Sequence, residues 1–142
     1  MDDTIKLLRE CDAGIKMGIA SIDKVLDDVQ DEKLLAMLEA AKKDHQKLQG
    51  ELEKQLEQCH DEGKDANAIA QGMSFFKTNV KMAINESDAT IAELMTDGCN
   101  MGVKSLGRYL NQYPAADAKA KEIANQIIKL ELSMCDKLRG YL

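Results

Sequence analysis

Proline occurs once and tryptophan not at all in the 142 residues, and aromatic side chains make up only 4% of them. With nine glycines besides, the chain offers few places for turns, which points to long uninterrupted elements. No run of about 18 apolar residues is present, so no stretch reads as a membrane-spanning helix. The start, Met1-Asp2-Asp3-Thr4, is acidic and unlike a signal peptide. Basic charge is the minority: 19 Lys and Arg stand against 25 Asp and Glu, a net charge of −6, which argues against nucleic acid as a partner. The four cysteines, Cys11, Cys59, Cys99 and Cys135, form no CxxC and no Cys-x-x-His, so nothing seeds a zinc site. Two disulfides of a secreted protein are one reading. Reduced thiols packed as small hydrophobes in a cytoplasmic protein are the expected one. Glycine-rich phosphate loops and Ser-His-Asp or Cys-His orderings are missing too.

What remains is 44% hydrophobic and 31% charged, enough for a single domain over residues 1–142 with a core of its own. Helical periodicity runs nearly from end to end. Ile5, Leu8, Ile15, Ile19, Ile22 and Leu26 recur at spacings of three, four and seven and predict a helix over about 3–28. The polar break Asp27-Asp28-Val29-Gln30-Asp31 follows, with Asp31 as cap of a second helix over about 32–60 lined by Leu34, Leu38, Ala41, His45, Leu48, Leu52 and Leu56. Gly63 is the expected stop. A shorter amphipathic stretch over about 66–84 carries Ile69, Met73, Phe76, Val80 and Ile84. Asn85 with Asp88 resembles a capping box before a helix over about 87–112, and Tyr113-Pro114 ends that helix. The last helix is expected over about 115–141, on Ile123, Ile127, Leu130, Met134 and Leu138.

Four of these helices match in length and the 66–84 stretch does not, which makes it a helical crossover running back along the bundle. The order is then up, down, crossover, down, up, a ferritin-like four-helix bundle. The runs Leu34-Leu35-Ala36-Met37-Leu38 through Glu51-Leu52, Ala68-Ile69-Ala70-Gln71-Gly72-Met73 and Asp97-Gly98-Cys99-Asn100-Met101-Gly102-Val103-Lys104-Ser105-Leu106 resemble the small bacterial ferritin-like proteins, a family of domains without an assigned activity. The resemblance spans nearly the whole chain and implies that same fold.

A ferritin-like bundle raises the question of a di-iron site, which takes a Glu from each of two helices and Glu-x-x-His from each of the other two. Hard iron ions call for that many carboxylates and imidazoles converging at mid-bundle depth. The chain has two histidines and one Glu-x-x-His, Glu57-Gln58-Cys59-His60, at the last turn of its helix. The set is incomplete, and no cofactor is expected.

Three polar residues do fall on or beside apolar stripes. His45 lies eleven positions after Leu34 and so on the same face; Glu131 sits between Ile127 and Leu138; Asp12 sits at the edge of the stripe between Leu8 and Ile15. A charge buried alone is costly, so such groups are normally paired. Counting back across the first hairpin sets His45 level with about Gly14, and Glu131 comes within a turn of that layer. The expectation is a buried His45–Glu131 pair that fixes helix register. A vestigial single-metal site on His45, Glu131 and Asp12 is the sharper alternative. Gly98-x-x-x-Gly102 reads as an inward-facing close helix crossing, and methionines including Met95, Met101 and Met134 as core filler.

Three functions compete. The first is a non-catalytic binding or assembly module, with a homodimer supported by Phe75 and Met82, which fall off the main stripe of 66–84. The second is histidine phosphotransfer, suggested by His45-Gln46-Lys47-Leu48-Gln49-Gly50 and opposed by an inward-pointing His45. The third is a non-haem metal oxidase, opposed by the missing ligands. Neither nucleic acid nor a membrane is an expected partner.

Overall fold

The structure is a computed structural model that describes residues 2–64, 69–71 and 87–142. The described residues form four long α-helices: α1 (Asp3–Leu26), α2 (Glu32–Gln58), α3 (Asp88–Gln112) and α4 (Ala118–Leu138). A single 3-10 turn, Arg139–Tyr141, follows α4. The described residues contain no strand, and among them no helix is long and apolar enough to cross a membrane. The expected crossover over 66–84, with Phe75, Met82 and the cap residue Asn85, falls outside the described residues except at 69–71.

Each helix starts where a short polar side chain can take an orphan backbone N–H. The side chains of Asp2, Asp31, Ser87 and Asp117 accept from the amides of Ile5, Leu34, Thr90 and Ala120. Asp31 is the cap that the polar break implied. The last helix starts later than expected, at Ala118 and not 115. The reason is that the turn after Pro114 is held from outside: Ala115 N–H donates to Asp3 at 3.0 Å and Asp117 N–H to Thr4 at 2.8 Å. Asp88 does not serve a local capping box either. Its carboxylate reaches the α1–α2 connection and accepts from the amides of Gln30 at 2.9 Å and Asp31 at 2.8 Å.

The second helix stops at Gln58, two residues short of the expected end and well before Gly63. His60 takes the left-handed conformation there, at φ 55°, and lets the amide of Asp61 close onto the carbonyl of Leu56 at 2.9 Å and its own amide onto Glu57 at 3.0 Å. That pair of bonds is the Schellman ending usually given to glycine. It puts His60 outside the helix, so Glu57 and His60 do not form a helical Glu-x-x-His pair.

Helix ends sort into two apolar clusters. One joins the first half of α1 (Leu7, Leu8, Ile15) to the second half of α2 (Leu48, Leu52, Leu56), the end of α3 (Leu106) and the start of α4 (Ile123, Ile127). The other joins the end of α1 (Ile22, Val25), the start of α2 (Leu34, Leu38), the first half of α3 (Ile91, Met95, Cys99) and the end of α4 (Met134, Leu138). α1 packs on the other three helices; α4 packs on α1, α2 and α3. Met95 and Met134 fill the core as expected, whereas Met101 is 61% exposed, on the opposite side of α3 from its apolar stripe.

Candidate functional site

Between the two clusters each helix contributes one residue that is not a large apolar side chain: Gly18 on α1, His45 on α2, Gly102 on α3 and Glu131 on α4. His45 is 1% exposed and Glu131 8%. The His45 Nε2 lies 2.8 Å from Oε1 of Glu131, so the pair expected from the two stripes is present. Its partner on α1 is Gly18, one turn further along than the Gly14 level inferred from hairpin counting. The offset has a direct cause. A helical side chain leans toward the N-terminus of its own helix, and the His45 ring does so far enough for Nδ1 to meet the carbonyl of Ala41 at 2.7 Å. The ring therefore occupies the level of Ala41, which is where Gly18 belongs.

The two glycines supply the space. A Cβ on Gly18 would stand 3.1 Å from both Cδ2 and Nε2 of His45, and one on Gly102 would stand 3.6 Å from Glu131. Gly98 does not share this role: it is exposed and meets nothing within 4 Å. The inward Gly98-x-x-x-Gly102 reading is thus corrected to one inward glycine. Four residues on a helix turn through 400°, and the 40° left over, added to the edge position of Gly102, carries Gly98 into solvent.

Electrostatically the layer is self-contained. Burial alone would depress the His45 imidazole; the Glu131 carboxylate, by hydrogen bond and by charge, outweighs it and holds the ring above its ordinary value. The Cys99 thiol on α3 also faces Glu131. Burial first, and then the carboxylate, push that thiol upward and keep it protonated. Cys99 enters the site with no sequence motif to announce it; its one signal was a place on the apolar stripe of α3, three residues before Gly102. Beside His45, between α2 and α4, lies a cavity of about 20 Å³ lined by Ala41, Asp44, Ser133 and Lys137 among others, room for about one water molecule.

Asp12 is not part of this layer. It is 1% exposed, but its carboxylate turns to the far end of α1, where it pairs with Lys16 at 2.9 Å and accepts from the amide of Lys64 at 3.3 Å. The chain after α2 comes back over it through Gly63, whose φ of 92° suits glycine and on which a Cβ would collide with the Asp12 carboxylate. Arg9 and Asp61 form a two-pronged pair nearby, at 2.9 and 2.7 Å, and Lys64 holds Glu10 at 2.7 Å. A shallow cleft of about 400 Å³, lined by Asp12, Lys16, Glu53, Glu57, His60 and Asp61 among others, opens beside them.

These positions decide what the residues can hold. A two-iron centre does not fit: the mid-bundle layer offers one imidazole and one carboxylate, His60 lies beyond the end of α2, and Asp12 is engaged elsewhere. Among the described residues no three His, Cys, Asp or Glu side chains converge in a way that could hold a metal ion. Phosphotransfer needs an imidazole nitrogen open to solvent and to a partner, and both ring nitrogens of His45 are engaged inside the protein. All four cysteines are free thiols. Compared with family models, with curated proteins and with solved structures, the chain matches none.

Proposed function

We propose that this chain is a ferritin-like four-helix bundle, ordered up-down-down-up with a helical crossover over 66–84, and that it works in the cytoplasm as a non-catalytic binding or assembly module. The ordering is supported by the two apolar clusters, in which the starts of α1 and α4 meet the ends of α2 and α3. The observation that carries the non-catalytic reading is the saturation of the central layer. Both nitrogens of His45 have partners, Glu131 takes the imidazole and faces the Cys99 thiol, and the adjoining space holds about one water. A general base or nucleophile must reach a substrate atom, and both ring nitrogens of His45 are engaged while the cavity beside the ring is too small for a substrate.

Self-association is the assembly mode in view. Met101 at 61% and Leu132 at 52% exposure offer apolar surface for it. A one-metal site on His45 and Glu131 is the second reading, resting on the two side chains that meet at 2.8 Å. One experiment separates them: sedimentation velocity of the purified chain, before and after loading with Zn²⁺, Mn²⁺ or anaerobic Fe²⁺, with elemental analysis of each sample. A dimer without stoichiometric metal is the expected result. One metal per chain, lost in His45→Ala, selects the second reading, and a strict monomer at all concentrations removes self-association.

A further inference from the structure

We infer that the His45–Glu131 pair is a proton-linked clamp, joining α2 to α4 while the imidazole carries both ring protons and releasing them when it gives one up. The argument starts from the two acceptors at the ring. The carbonyl of Ala41, 2.7 Å from Nδ1, can only accept, so Nδ1 carries a proton. At Nε2 the partner is Oε1 of Glu131, 2.8 Å away. A single proton must lie between these atoms, on the ring or on the carboxyl. The Glu131 carboxylate at the ring, with the Ala41 carbonyl and Asp44 beside it, favours the charged imidazole against the effect of burial. The proton then belongs to the ring, and the pair is imidazolium with carboxylate.

Charged and titratable groups around the ring come from three helices. On α2, Asp44 favours the imidazolium, as Glu131 does from α4. Lys137, on α4, lines the same small cavity and opposes it. From α3 come the protonated Cys99 and, behind it on α4, Cys135. α1 contributes Gly18, which has nothing to titrate. Removing the Nε2 proton would leave a lone pair facing Oε1 and one uncompensated negative charge in the core, a repulsive arrangement. The cavity between α2 and α4, lined by Asp44, Ser133 and Lys137, adjoins the ring and has room for about one water to accept the proton.

The sign of the pH dependence follows. The imidazole is held above its ordinary value in the folded chain, so the clamp contributes fully below about pH 6.5, the unfolded value. Its contribution is lost as pH rises from there through the folded value. Within that window the folding constant falls by as much as roughly tenfold per pH unit.

The test uses the fact that the chain has two histidines, His45 and His60. In a His60→Gln variant, ¹⁵N NMR of the remaining ring at pH 7 should show both nitrogens protonated, titrating above a free imidazole. Glu131→Gln should lower that titration, because burial is then opposed only by the Ala41 carbonyl and Asp44. The folding constant of the wild type, divided by that of the His45→Gln/Glu131→Gln double variant, should fall across the window. Thiols that titrate in the unfolded chain are common to both and cancel. A ring with one bare nitrogen at pH 7, no movement in Glu131→Gln, or a ratio independent of pH would each overturn the clamp. If the double variant does not fold, the ring shifts of His60→Gln decide alone.

Discussion

The chain holds buried or half-buried charge in two places, and it handles them in opposite ways. At mid-bundle, His45 and Glu131 are enclosed among four helices, and among the described residues no other charged side chain is hydrogen-bonded to either. At the end where α1 begins and α2 stops, Arg9, Glu10, Asp12, Lys16, Asp61 and Lys64 share three ion pairs and the backbone amides of Gly63 and Lys64. Solvent reaches part of every pair there; Arg9 and Lys16 are each 36% exposed. Water competes for the end network and screens it, so single pairs contribute little. In the middle the space beside His45 admits about one water, too little to solvate an unpaired charge, so either member alone becomes a liability. Similar functional groups thus hold register in one region and pin a returning loop in the other.

The sharpest way to break the comparison is to remove one partner from the dry pair. Glu131→Ala should cost about 3 kcal/mol or more, because it leaves the imidazole buried without its counter-ion. His45→Leu with Glu131→Met should cost much less, since neither site then needs to be desolvated as a charge. Denaturation midpoints of both singles and the double give the coupling. Simple additivity would mean that the pair contributes nothing as a pair.

A smaller effect separates glycines that make room from those that do not. Gly14→Ala meets nothing within 4 Å and should stabilise α1 by up to about 1 kcal/mol through helix propensity. Gly18→Ala places its methyl 3.1 Å from the His45 ring and should destabilise instead, by loosening the bond to Glu131. In a His45→Ala background the penalty should vanish and Gly18→Ala should behave like Gly14→Ala. Thermal midpoints of the four variants check this.

The smallest effect belongs to the end network. Arg9→Ala removes a two-pronged but exposed pair with Asp61, and its change in midpoint should be the least of the set and shrink further in high salt. The same guanidinium, by its hydrogen bond first, holds the Asp61 carboxyl below its usual range. That contribution is present above the unfolded carboxylate value and fades as pH falls through the lowered one. Its pH dependence is opposite in sign to that inferred for His45, and an acid titration of Arg9→Ala against wild type reads it out.

Much of this was legible before any coordinates. Apolar spacing located the four helices and put His45 and Glu131 on inward stripes, because a helix repeats its faces every three to four residues whatever surrounds it. Asp31 was legible as a cap because a carboxylate before an apolar run has an amide to serve. The ends were less so. Stopping α2 at Gln58 depended on His60 accepting a left-handed conformation that sequence alone would assign to Gly63.

The linear sequence determined the helices, their buried faces and the need for His45 to find a partner, since those follow from local periodicity and from the cost of an unpaired buried charge. Only tertiary structure decided which atoms meet. The lean of the His45 ring toward Ala41 selected Gly18 over Gly14, and the packing of α3 on α4 brought Cys99 to the same carboxylate. Asp12 looked like a third member of the layer and was taken instead by Lys16 and the amide of Lys64. That amide lies 52 residues along the chain, in a loop with no periodicity to read, and side chains pair with whatever the fold brings within about 3 Å.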